Sequence, residues 1–282
     1  MDETNVDGFF EGIDAMDVME QHVADVVSLE GSQADSILKT YLRIAGMLRA
    51  KLRLLPVESF TAQQTRVVLL QLEGAINALD RDLNNKVSES TNLLSERAVG
   101  DLVVEVNKFS KKFTGSVQPL DIDVVDVATR TSDRLFNKYK TSINTYSNTL
   151  RDKISGDLRD GVIARETPDE IINRLSGTFD GEAWRLRRIV RTELHGIYSQ
   201  AKLLSLKESR DTVLPNLMKT LYHPMDSRTG KDSQYAESKH LIVPLDEPFK
   251  YRWKGKERIF QCPPDRPMDR SILIPYDPEW IK

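Results

Sequence analysis

The sequence predicts an α+β protein, a long-helix N-terminal region followed by a smaller C-terminal module of helices packed on a small antiparallel sheet. Three observations predict it. Apolar residues recur at three- and four-residue steps through most of the first 160 positions, the pattern of helices with one buried face. Beyond Leu217 the period drops to two, in short runs separated by proline, glycine and charged turns. With 39% hydrophobic residues among 282, the chain can bury a core, as one large domain or two ordinary ones.

The N-terminus is set apart by charge. From Asp2 to Asp35 there are ten acidic residues and no lysine or arginine. The net charge of -3 therefore hides a body with 33 acidic against 40 basic residues, or +7. Residues 1–35 read as an acidic arm. Such a charge block is expected to be solvated and partly disordered. The alternative is a segment that docks on a basic partner with Phe9 and Phe10 as apolar anchors.

Residues 36–160 read as long antiparallel helices. A first seam runs through Ala34, Leu38, Tyr41, Ala45, Leu48, Leu52 and Leu55 and is closed by Pro56. A second passes through Leu69, Leu72, Ile76, Leu79 and Leu83, loosens across Asn84 to Thr91, and resumes from Leu94 to Phe113 before Gly115 to Pro119 end it. A third runs from Val124 through Leu135, Tyr146 and Ile154 to Leu158, with a mean step that suits a gently wrapping helix. Antiparallel packing would bury all three seams, and no chemistry is assigned to them.

Residues 161–282 form the predicted C-terminal module. Thr167-Pro168-Asp169-Glu170 places an N-cap hydroxyl, a proline at the first helical position and a carboxylate at the third. A short helix is expected from there to near Gly177, and another from about Glu182. On the second helix Leu186, Val190, Leu194, Ile197, Ala201 and Leu204 share one face, and Glu193 falls inside that apolar arc. Arg187, Arg188, Arg191 and His195 point elsewhere, mostly towards solvent or a neighbour. A carboxylate on a core face needs a cationic or multi-donor partner. Arg228 is the first candidate, so that Glu193, Arg228, Arg191 and Asp226 would form a structural clasp. Strands are expected at Met218–Tyr222, Leu241–Leu245, Phe249–Trp253, Glu257–Phe260 and Ser271–Tyr276, with Lys254-Gly255-Lys256 as a hairpin loop.

Several function classes lose support. The single cysteine, Cys262, cannot form an internal disulfide, nothing at the N-terminus resembles a secretion signal, and no apolar run approaches a bilayer span. The chain reads as made in a reducing cytoplasm, without membrane association. Glu193 lacks a second titratable group at a convincing spacing, and there is no Glu-x-Glu pair, phosphate-cradling glycine loop or nucleophile elbow. No catalytic residue and no cofactor is assigned. His223, Asp226, His240 and Cys262 have the types a zinc site needs, but their spacing lacks a paired ligand motif, so no metal is assigned either. Two basic stretches could meet phosphates: Arg185, Arg187, Arg188 and Lys202 on the helix, and Lys250, Arg252, Lys254 and Lys256 beside Tyr251 and Trp253. They are read as possible sequence-independent DNA contacts or as solvated cationic faces.

A set of motifs carries a family resemblance. Thr167-Pro168-Asp169-Glu170-Ile171-Ile172, Arg191-Thr192-Glu193 with Ala201, Asp226-Ser227-Arg228-Thr229, Asp246-Glu247-Pro248-Phe249 and Pro263-Pro264-Asp265 occur in one order. That order resembles the Mu F-like minor head protein family of tailed phages, over roughly residues 155–276. The resemblance implies a head-morphogenesis protein: a structural virion component, not an enzyme, present in few copies inside the capsid near the portal vertex. Its implied partners are the portal protein, the inner capsid surface and packaged double-stranded DNA, and its implied role is in head assembly and DNA packaging or ejection. Ser233 and Gln234 stand where the family often has a histidine, and Ser271-Ile272-Leu273-Ile274 replaces a cysteine-containing ending. No metal site is carried over. The alternatives from other classes are a metal-dependent nuclease and a generic helical scaffold or adaptor.

Overall fold

The computed structural model describes residues 3–14, 17–53, 62–117, 119–120, 123–164, 166–224, 230–237, 239–267 and 269–281. In chain order these form α1 (Glu3–Asp14), α2 (Asp17–Arg53), α3 (Ala62–Thr114), α4 (Val124–Ile163), α5 (Pro168–Thr212), β1 (Met218–Tyr222), α6 (Lys231–Glu237), β2 (Val243–Pro244), β3 (Phe249–Trp253), β4 (Lys256–Phe260), β5 (Ile272–Tyr276) and a 3-10 helix (Pro278–Ile281). The architecture is α+β, with long helices first and a small antiparallel sheet region last. Among the described residues no helix is long and apolar enough to cross a membrane.

Contacts divide the chain into two compact units. A sheet unit comprises Met1–Gly31, Ser90–Leu135 and Arg191–Lys282; a helical unit comprises Ser32–Glu89 and Phe136–Val190. Each of the four long helices therefore contributes to two cores in succession. The sequence reading placed its boundaries near residues 35 and 160 instead. Periodicity locates a helix but does not say where along its length the packing partners change.

In the helical unit the first and third seams are buried at most positions whose side chains are described: Ala34, Tyr41 and Ala45 on α2, with Leu38 half-buried, and Tyr139, Tyr146, Leu150, Ile154 and Leu158 on α4. The apparent loosening of the second seam has a plain cause. Leu83 and Val87 are buried, and the buried row continues into the sheet unit through Ser90 and Thr91, small polar residues that occupy core positions. α3 is unbroken across them.

α5 begins as expected. The Thr167 Oγ1 accepts from the Glu170 amide at 3.3 Å, and the Thr167 amide donates to Glu170 Oε2 at 2.7 Å. The bonds from the Thr167 amide and side chain hold the Glu170 carboxyl below its usual range. Thr167→Ala is expected to destabilise the helical unit by about 1 kcal/mol, read from chemical denaturation; an unchanged midpoint would show that the cap is redundant.

The expected stop near Gly177 is not there: α5 runs through Gly177 and Gly181 without a break. Glycine inside a helix costs roughly 1 kcal/mol relative to alanine. Packing around the pair offsets this. Phe179 is buried against Tyr41 at 6.2 Å between ring centres, Tyr41 Oη donates to the Phe179 carbonyl at 3.0 Å, and Tyr146 Oη donates to the Glu182 carbonyl at 3.2 Å.

The largest correction concerns the acidic arm. Residues 3–14 and 17–31 are helical, and Phe9, Phe10, Ile13, Val18 and Met19 are buried within the sheet unit. Phe9 sits edge-on to Tyr276 at 4.8 Å and touches Phe109, Phe113 and Trp280. Apolar residues spaced along a helix outweigh the charge block that suggested disorder. The acids have partners in the chain itself: Asp25 meets Arg97 and Asp7 meets His240.

β1 is the centre of a three-stranded antiparallel sheet in the order β2-β1-β5, while β3 and β4 form a separate hairpin. Lys254 and Gly255 turn that hairpin with φ of 47° and 77°, the left-handed pair of a two-residue turn. Leu203 of α5, Leu221, Phe249, Cys262 and Leu273 pack together as one core cluster.

Candidate functional site

From Leu194 to Leu203 every residue of α5 except Gln200 is buried. A helix enclosed on all sides must satisfy its polar side chains inside the protein. His195, which the amphipathic reading placed off the apolar face, towards solvent or a neighbour, is one of them. Its Nδ1 meets Glu30 Oε1 at 2.7 Å and its Nε2 donates to the Ser271 carbonyl at 2.7 Å. Burial works against its charge, but the Glu30 carboxylate, the bonds to Glu30 and Ser271, and the charge of Asp269 outweigh it and lift the imidazolium to about 9. The residue that joins α2, α5 and the start of β5 is thus His195. Glu193 is half-buried, as is Arg191, and the expected Glu193 partner Arg228, with the fourth clasp residue Asp226, lies outside the described residues.

Two turns further along α5, Lys202 is fully buried. Its Nζ donates to Glu105 Oε1 at 2.5 Å, and the same oxygen faces His22 Nδ1 at 2.9 Å. Asp101 accepts from Tyr198 Oη at 2.8 Å and pairs with Arg97 Nε at 2.8 Å. Burial and the charges of Asp101 and Glu105 push the Tyr198 phenol well up, so it remains the donor. The expectation that Lys202 touches DNA is therefore corrected: its ammonium is enclosed and neutralised by a buried carboxylate.

A serine, a histidine and an aspartate also meet at the edge of the sheet. Ser271 Oγ donates to Asp269 Oδ1 at 2.7 Å and lies 2.5 Å from His223 Nδ1. In a nucleophilic relay the imidazole takes the serine proton and the carboxylate orients the imidazole. Here the carboxylate holds the serine directly. Burial pulls His223 down to about 4, so Nδ1 of a neutral ring donates to the serine. Burial works against the Asp269 charge too, yet His195 and the bonds from Ser271 keep its carboxyl below the usual range. The trio lies just past the Tyr222–Ile272 end of the β1–β5 ladder.

The other residues considered as zinc ligands have separate partners. Cys262 accepts from Gln200 at 2.8 Å inside the core cluster, and His240 stacks on Phe10 at 4.1 Å and meets Asp7 at 2.9 Å. Asp226 lies outside the described residues. Among the described residues no group of three or more histidine, cysteine or acidic side chains is arranged to hold a metal.

The cations of α5 are largely engaged. Arg185 stands 3.6 Å from Glu182, Arg187 meets Asp35 at 2.9 Å, and Arg188 lies over the Trp184 ring at 4.8 Å. Lys207 and Arg210 both reach Asp246, at 2.6 and 2.5 Å, and their bonds hold that carboxyl down at about 2. The hairpin is different. Lys250, Arg252, Lys254 and Lys256 are all exposed. Strand alternation splits them: Lys250 and Arg252 share the outer face with Glu257 and Ile259, whereas Lys256 lies opposite Trp253 on the face that carries Tyr251 and Arg258. Comparison with family models, curated proteins and solved structures finds no match to this chain.

Proposed function

We propose that this chain is a minor head component of a tailed phage, a structural protein that works by adhesion and placement at the portal vertex inside the capsid. The ordered motif set supports the reading from the sequence. In the structure, one of those motif residues occupies a joint: Asp246 ties the connection between β2 and β3 to Lys207 and Arg210 of α5. The observation that carries the mechanism is the exposed cationic hairpin, projecting from a unit whose neighbouring helix cations are paired internally. Such a surface meets the phosphates of packaged double-stranded DNA without reading sequence. The portal protein and the inner capsid surface are its protein partners, and the role is in head assembly and DNA packaging or ejection.

The chain is expected to co-purify with portal-containing heads in few copies. Recovery only as free protein in lysates, with none in mature heads, would overturn the proposal.

A further inference from the structure

The inner face of the hairpin and α6 enclose a pocket of about 340 Å3 lined by Lys231, Asp232, Trp253, Lys254, Lys256 and Arg258. Four of these six side chains are cationic. Asp232 is already held by Arg266 at 2.5 Å, and Arg258 stands 3.7 Å from it. The ammonium groups of Lys231, Lys254 and Lys256 have no acidic partner among the described residues. Converging like charges repel unless an anion sits between them.

The backbone adds an independent observation. Lys254 occupies the first left-handed position of the turn, where asparagine, aspartate or glycine is favoured and a lysine is strained. A cation therefore lines the pocket at a position whose backbone disfavours it. Beside it, the Trp253 ring is braced by Tyr235 at 5.0 Å, with Lys254 Nζ 5.6 Å from its centre. The pocket thus offers ammonium donors beside an aromatic ring. Its volume is in the range of small-ligand sites.

We infer that this pocket binds the phosphoryl group of a nucleotide unit, with Lys231, Lys254 and Lys256 meeting the phosphoryl oxygens and Trp253 walling the base. The site is separate from the outer-face contacts of Lys250 and Arg252, and it does not depend on where the protein resides. The phosphoryl group has two sources, a free nucleotide or a nucleic-acid strand.

The test is titration of the full chain at low salt with adenosine monophosphate, a short oligothymidylate and a short duplex. Binding of the monophosphate alone identifies a free nucleotide; binding of the strand, with competition by the monophosphate, identifies the backbone. In either case Lys254→Asn with Lys256→Gln should weaken binding about tenfold or more and, for the strand, flatten the salt dependence by about one unit of slope. The thermal midpoint should not fall, because asparagine suits the turn. Lys250→Gln with Arg252→Gln should leave binding of the monophosphate unchanged, because neither side chain lines the pocket. Failure of both the monophosphate and the strand to bind, or binding that survives the pocket variant, would overturn the inference. Duplex binding lost only in the outer-face variant would also overturn it, while the head-protein proposal would still stand or fall on recovery from heads.

Discussion

Glu105→Gln is expected to destabilise the sheet unit by about 3–5 kcal/mol, because it leaves the Lys202 ammonium buried without a counter-charge. Both side chains are fully buried, and Glu105 Oε1 serves Lys202 at 2.5 Å and His22 at 2.9 Å at once. Glutamine keeps the shape and an acceptor oxygen but removes the charge. The neighbouring carboxylate cannot substitute, since Asp101 already receives Arg97 and Tyr198. Removing both charges, as in Glu105→Leu with Lys202→Met, should recover most of the loss, because each buried ion also carries a desolvation cost. Chemical denaturation of the single and double variants measures both effects. A single variant within about 1 kcal/mol of the parent would show that the pair contributes little net stability.

Stability is also expected to peak near neutral pH and to fall on both sides, each limb set by one buried histidine. His195 is held up to about 9 from an ordinary 6.5, with Glu30 and Asp269 as the charges that overcome its burial. Its contribution is complete below pH 6.5 and is lost as pH rises through about 9. His223 is held down to about 4 by burial, with Arg266 acting the same way and Asp269 and Asp232 opposing. The unfolded chain then binds a proton that the folded chain refuses, so stability is lost as pH falls from 6.5 towards 4. Each limb amounts to about 3 kcal/mol at 1.36 kcal/mol per pH unit. Denaturation midpoints across the range, repeated on His195→Gln and His223→Asn, should show each variant losing its own limb. Stability that is flat between about pH 5 and pH 9 would overturn the assignment.

Much of the fold was legible in the chain. The cores of α3 and α4, the capping box at Thr167 and the turn at Lys254-Gly255 are local: each depends on residues within a few positions, and the responsible forces act within one helical turn or one hairpin. Four of the five strands lie at or within one residue of their expected bounds, whereas the expected Leu241–Leu245 strand is shortened to Val243–Pro244. The candidate site was less legible. Treating α5 as a helix with one apolar face took His195 off the core stripe and placed Lys202 among possible DNA contacts, whereas both are enclosed. The hairpin cations were found as a group, but strand register was needed to assign Lys256 and Lys250 to different faces.

By itself the sequence determined the element types, most boundaries and the caps, because apolar period and turn chemistry are short-range properties. Only the tertiary structure decided which polar groups meet. His22 finds Glu105 across 83 positions, Lys202 finds the same carboxylate across 97, and His195 finds Glu30 across 165. The acidic first 35 residues look like a solvated arm only until those partners are known. In the fold, Glu30 and Asp25 of that stretch are counter-charges for His195 and Arg97. A charge pattern along the chain carries no distance through space, and it is the through-space distance, in a medium of low polarity, that sets the energy of each pair.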